Sequence, residues 1–452
     1  MIAILGLFLG MGLLIWLALR DVNIIFAAVL CAMVVILTNG LPFAQSINDT
    51  FLFGDLGAFT FAGRFFLLFA AGAMFGRVMS ESHAATSIAM ALVNALGAQR
   101  ALWITVLSGA LLTYGGVVVF VVIFAMYPLG LRLFQAADLP KRLFCGAITL
   151  GAGTFTLTAL PGTPSIHNVI PTLKLGTDLF AAPLLGIFGG AIMFILGMFY
   201  LEHERKKAIA NGEGFEPGPN DSIPSMESIA KDVPHWGLAM IPLVLVIGTI
   251  LAPRFAVAMG ADAEAGWIAF ASSQPVLWPS FALALASLVA VILFSSARAA
   301  PVRLMGNGVQ DSIIPLLATS AVIGFGGVVA QTGGFAAFTQ AIVGADMPPL
   351  VSMFAATSTI SGITGSSSGG LQIFMATFAD SYLAMGVSPE EIHRLAAMAS
   401  GGFDSLPHCG AVIVLLQICQ LTHRQAYKDI GVVTVIVPVI ATLLTLALAM
   451  IV

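Results

Sequence analysis

The stretch from Thr357 to Gly370 reads TSTISGITGSSSGG and lies between the apolar runs 349–356 and 371–379. In water such a loop needs no explanation. At membrane depth its bare main chain is tolerated only where protein or a water-filled cavity surrounds it. Glycines let the chain turn and let a ligand approach the backbone, while Ser361, Thr364, Ser366, Ser367 and Ser368 offer hydroxyls. The stretch therefore reads as the tip of a re-entrant hairpin, with Thr364, Gly365 and Ser366 to Ser368 lining a solute site. The alternative is an ordinary polar loop between two spanning helices.

Composition supports membrane depth. Of the 452 residues, 59% are hydrophobic and only 9% charged, and the mean hydropathy is +1.01. Soluble domains carry roughly 25% charged residues, so the chain is an integral membrane protein. The run 2–19 lacks a basic leader and a small-residue cleavage site and is expected to stay as a first helix. The four cysteines show no metal spacing, and no basic block suggests nucleic acid. A P-loop, a strand-to-helix GxGxxG and an HExxH are absent, which argues against an ATP-driven pump or a metalloprotease. No enzyme activity, metal or cofactor is expected.

Apolar spans fall at 2–19, 24–39, 58–79, 143–160 with a continuation to about 173, and 179–201. Between the third and fourth lie an interfacial segment, 80–99, and an apolar stretch, 102–133, broken at Thr113-Tyr114-Gly115-Gly116. A hydrophilic segment, 202–235, follows. The series then recurs as 236–252, 275–295, 312–331, an interfacial 334–343, the broken stretch 349–385, 395–420 and 430–451. Two residue-level matches accompany it: 75–82 (FGRVMSES) with 325–332 (FGGVVAQT), and 158–161 (TALP) with 404–407 (DSLP). The expectation is an all-α polytopic protein of two inverted repeats, 1–201 and 236–452, joined by a cytoplasmic linker, 202–235. Each repeat has about five crossings and one re-entrant hairpin, with helices unwound near the midplane, and an odd number of crossings inverts the second repeat. Lys and Arg concentrate in the loops that this topology places in the cytoplasm, and 40–57 holds none.

Four breaks converge under that topology. They are the first hairpin tip (Thr113, Gly115, Gly116), a joint at 154–168 (TFTLTALPGTPSIHN), the opening stretch, and a second joint at 400–410 (SGGFDSLPHCG). Prolines remove helical donors in both joints. Half-helix N-termini aimed at one point suit an anionic group. None of the breaks holds Lys or Arg, so amides and the hydroxyls of Thr158, Thr163 and Ser165, beside Gly162, would carry anion recognition. Packed kinks without a ligand are the alternative. Three ionisable groups lie in the joints: His167, Asp404 and His408. A buried ionisable group in a membrane is costly and so by default functional. Asp404, with His408 as partner, is the choice for proton coupling. Asp404 as a cap of the half-helix after Pro407, or as a Na⁺ ligand, stays open. His167 and Asn168 are read as substrate hydrogen-bonders.

The stretches TALPGTPSIHNVIPT (158–172), SGITGSSSGG (361–370), ASGGFDSLPHCGAVIVLL (399–416) and LTHRQAYKDI (421–430) make the sequence resemble the gluconate permease (GntP) family of the ion transporter superfamily. They look closer to its hydroxybutyrate-type branch. The first hairpin, TYGGVVVF (113–120), lacks a carboxylate, and the joint is LPGTPS (160–165). The resemblance implies a symporter for a small organic anion such as a hydroxy monocarboxylate. It further implies H⁺ coupling (with Na⁺ as the alternative, or Na⁺/H⁺ antiport), elevator-like movement, a homodimer and a bacterial inner-membrane location.

Overall fold

The computed structural model describes residues 2–20, 22–219, 221, 223, 233–264 and 266–451. Its regular elements are all helical, and no strand occurs among the described residues. The principal helices are α1 (Ile2–Leu19), α2 (Ile24–Asn39), α3 (Ala58–Glu81), α4 (Ala84–Leu96), α5 (Ala101–Tyr114), α6 (Val119–Ala136), α7 (Lys141–Gly153), α8 (Ile166–Leu175) and α9 (Pro183–Ala210). After the polar segment come α10 (Trp236–Ala258), α11 (Gly266–Ser273), α12 (Leu277–Leu293), α13 (Pro301–Ala330), α14 (Gly333–Val343), α15 (Pro349–Thr364), α16 (Ser367–Thr377), α17 (Pro389–Ser400) and α18 (Gly410–Cys419). The last is α19 (His423–Ala449). Among the described residues, six helices are long and apolar enough to cross a membrane, or up to nine when each sharply bent pair counts as one span. The protein is a multi-pass membrane protein.

Helices α3 and α13 form the most extensive pair. Small residues let their backbones meet: a Cβ on Gly308 would come within 2.6 Å of Met74 Cα. One apolar cluster gathers α1, α2 and the 321–329 face of α13; a larger one fills the remainder.

Several boundaries differ from expectation. The tract Glu202–Lys207 belongs to α9, which runs to Ala210, past the expected start of the linker at 202. Helix α13 starts at Pro301, which places Arg303 in a helix. The segment after α2 is a π-helical turn, Ser46–Leu52, packed on α13 through Phe51. Hydropathy windows miss these parts because polar residues continue a helix beyond the bilayer and short buried turns have no long apolar run. The second hairpin is tighter than its composition suggests. Thr357 to Thr364 are the last turns of α15, Ser367 to Gly370 open α16, and only Gly365 and Ser366 break the helix. Gly365 closes α15 at φ 58°, a left-handed value.

Candidate functional site

Both joints are broken. After α7, Thr154 leaves the helix, Phe155–Ala159 make a π-turn, and the chain turns at Pro161–Gly162 before Ser165 caps α8. Pro161 and Pro164 cannot donate, and Gly162 sits at φ 84°. After α17, the chain passes through a single 3-10 turn, Phe403–Ser405, before α18, with a bend of 54°.

The four breaks touch in sequence. Tyr114 of the first hairpin donates its hydroxyl to Pro161 O at 3.0 Å. A Cβ on Gly116 would meet Pro164 Cγ at 2.9 Å. The joints meet where a Cβ on Gly401 would lie 2.6 Å from Thr158 Cγ2. The second joint meets the second hairpin at Gly365, whose Cβ would stand 2.8 Å from His408 Cδ2. Ser358 adds a hydroxyl bond to Ala399 O at 3.0 Å. Helix α8 packs on α16 and α17, which closes the group.

Asp404 is buried and accepts from Ser405 Oγ at 3.1 Å. The hydroxyl and backbone amide of Ser367 also lie against its carboxylate. Asp404 thus faces the start of α16, where free amides favour an anion. It is not the cap of the half-helix after Pro407, because Cys409 stands at the N-cap of α18 without a side-chain bond. His408 is no ion-pair partner of Asp404: its Nε2 is 2.9 Å from Gly362 O. The two residues lie in one joint but are engaged with different parts of the hairpin.

The hydroxyls divide into used and unused. Ser366 Oγ caps α16 by accepting from Gly369 N–H at 3.1 Å and lies 3.4 Å from Ser368 Oγ. Thr364 Oγ1 donates back to carbonyls of its own helix, and Thr158 Oγ1 donates to Thr154 O at 3.2 Å. By contrast Thr113 Oγ1, Ser361 Oγ and His167 Nε2 are buried without a partner. Buried polar atoms are normally bonded, so three orphans in three of the breaks call for a ligand or water.

His167 has a readable tautomer. Ser165 Oγ donates its one proton to Leu157 O at 2.8 Å and accepts from His167 N–H at 3.2 Å. Nδ1, 3.2 Å from that oxygen, is then the donor. In the neutral ring Nε2 is left as a bare acceptor, which pairs with a hydroxyl of a solute and repels a carboxylate oxygen.

Asn168 is saturated: Nδ2 donates to Leu160 O, Thr163 O and Thr163 Oγ1 at 3.1–3.3 Å, and Oδ1 accepts from Arg394 Nη1 at 2.7 Å. Arg394, one residue before the apolar span 395–420, is the residue that sequence reasoning missed. It lies in α17, fully buried, and brings a cation to the first joint. The breaks themselves hold no Lys or Arg, as expected from the sequence, but a buried guanidinium from α17 stands beside the first joint. The readable signal was Ser388-Pro389-Glu390-Glu391, a capping box that starts α17 and puts Arg394 over one turn inside it. The two open hollows, one lined by Pro253, Arg254, Val257, Ala258 and Ser272 and the other by Gly237, Met240, Ile241, Val244 and Leu245, include no residue of the four breaks.

On the cytoplasmic side of the expected topology, Lys141 pairs with Asp221 at 2.6 Å, and Arg142 with Glu213 at 2.7 Å and Asp429 at 2.6 Å. Burial alone pushes the Asp221 carboxyl up. Bonds from Lys141, the Gly218 amide and Tyr127 outweigh it and hold the group below the ordinary carboxylate range. The Arg142 guanidinium does the same for Glu213.

Comparison with known proteins agrees with this architecture. The chain is 40% identical over 454 residues to the uncharacterized transporter YxjC of Bacillus subtilis (strain 168), covering 95% of each. It is 26% identical over 367 residues to a gluconate permease of Pseudomonas aeruginosa, covering 78% of this chain and 73% of the relative. The fold is similar to the crystal structure of the Alcanivorax borkumensis YdaH transporter, with a TM-score of 0.53, 14% identity and 86% of each chain covered. The model of the GntP family permeases matches residues 2–451, so the chain belongs to the GntP family of permeases.

Proposed function

We propose that the protein is a secondary active symporter for a small hydroxy monocarboxylate, of the gluconate or 3-hydroxybutyrate type, coupled to protons. The observation that carries the reading is the meeting of four helix breaks around buried polar atoms that have no partner, with His167 Nε2 foremost. Family membership and the gluconate permease relative support the solute class. Asp404 is the proton carrier of this reading. Its carboxylate faces the amide end of α16 and can exchange that contact for a proton. The recurrence of α3 to α9 in α13 to α19, element by element, supports two inverted repeats about a cytoplasmic linker. The hairpins and joints would travel as one body in a bacterial inner-membrane homodimer.

The test is uptake into proteoliposomes of purified protein. With an inward proton gradient and no Na⁺, 3-hydroxybutyrate or gluconate should accumulate above its outside concentration. Accumulation that requires Na⁺ would replace proton coupling by Na⁺ coupling. Sodium–proton exchange without any organic acid would overturn the symporter reading.

A further inference from the structure

Arg394 makes no ion pair among the described residues; the Asp178 carboxylate acts on it only from a distance. Nε and Nη2 both donate to Ala181 O at 3.1 Å, Nη2 also lies 3.4 Å from Leu179 O, and Nη1 reaches Asn168 Oδ1 at 2.7 Å. All these acceptors are neutral, and the ion pairs of the described residues leave Arg394 out. The acids of the adjoining segments are committed elsewhere: Asp178 to Arg254 at 2.9 Å, and Glu390 to the Ala182 amide at 2.9 Å. The neighbouring imidazole of His393 sits 2.7 Å from Thr177 Oγ1 and offers no negative charge. A guanidinium stays charged at any cellular pH. Burying it without a directly bonded opposite charge is strongly unfavourable, the more so in a bilayer.

The bonds from Arg394 lead inward. Asn168, which takes the Nη1 proton, donates to Thr163 Oγ1 at 3.1 Å. That hydroxyl also accepts the Ser165 amide at 3.3 Å. With both lone pairs engaged, its own proton has no acceptor among the described residues and is free for an anion. The chain Arg394–Asn168–Thr163 therefore carries positive polarity from a fixed charge to an unused donor in the first joint.

We propose that Arg394 is the fixed positive charge of the solute site, balanced by the carboxylate of the bound solute and acting through Asn168 and Thr163 without touching it. It is a positioning residue, and the proposal rests on the anion-transport reading above. It makes the empty carrier an electrostatically incomplete protein.

The experiment measures binding of 3-hydroxybutyrate and of its neutral isostere, 3-hydroxybutyramide, to purified full-length protein by calorimetry. Wild type should prefer the carboxylate. Arg394→Gln should weaken the carboxylate by about ten-fold or more and leave the amide unchanged. Arg394→Lys, which keeps the charge, should retain the preference. Asn168→Asp gives the guanidinium a carboxylate of its own and should lose the preference while keeping that contact, so it decides the matter even where the Gln variant does not fold. Retained preference in the Gln or Asp variant overturns the proposal alone, as does a Lys variant that loses it as fully as Gln. A wild type that binds neither of these compounds nor gluconate overturns the anion-transport reading and this proposal with it.

Discussion

His167 and Asp404 are both buried in the joints, yet their surroundings prepare them for different work. Ser165 fixes the His167 ring with Nε2 as an acceptor. His167→Leu should therefore cost the solute one neutral hydrogen bond, about 1 kcal/mol or roughly five-fold in affinity. The loss should appear for 3-hydroxybutyrate and not for butyrate in parallel titrations. Asp404 faces the start of α16. Asp404→Asn keeps the size and removes the titrating proton, so uphill uptake should vanish while counterflow exchange of solute continues. Undiminished accumulation would remove Asp404 from coupling. These residues were legible because charge and imidazole stand out against apolar sequence. The pairing of Asp404 with His408 was not, since closeness in sequence says nothing about which way a side chain leaves an unwound turn. Arg394 escaped notice because hydropathy ends a span at the first charge, whereas a buried cation bonded to carbonyls continues it.

The breaks themselves are the elements that matter, and proline and glycine made them visible. Gly162 is held at φ 84° with the Phe180 ring against the space a side chain would need. Gly162→Ala meets both obstacles and should destabilise the joint by about 1–2 kcal/mol from backbone strain alone. The loss would be read as a lower unfolding midpoint in detergent, with solute binding reduced alongside; an unchanged midpoint would show that the joint relaxes freely. The serine-rich hairpin was legible as a helix break but misleading as a loop. Serine and threonine return their hydroxyl bonds to the preceding turn, as Thr357 and Thr364 do, and so persist in helices wherever water cannot compete.

At the scale of the molecule, the order of spans and the position of the polar segment were readable from hydropathy, because the bilayer demands long apolar runs. The anchoring of that segment was not. Asp221, far from any span in sequence, pairs with Lys141 in a buried contact that also engages Tyr127 at 2.7 Å. Asp221→Asn leaves the Lys141 charge buried without a partner and should cost about 3 kcal/mol, measured as lowered thermal stability. Folded-state values of Asp221 and Glu213 below the ordinary range set the sign with pH. Their stabilisation is complete above about pH 4, the unfolded value, and is lost as pH falls through the folded values. Acidification should release the segment, followed by limited proteolysis.

The contact between Thr158 and Gly401 has a mechanical corollary. The Thr158 methyl stands 2.6 Å from where a Cβ on Gly401 would be, so the two joints interlock too closely to shear past each other. By contrast, a Cβ on Gly72 of α3 would meet the first hairpin more loosely, at Val118 Cγ2 (3.3 Å) and Gly116 O (4.0 Å). Cysteines installed at 158 and 401 and oxidised to a bridge should leave turnover intact, while a bridge between 72 and 118 should freeze it. If both bridges prove silent, the carrier works by a local gate with no travelling body.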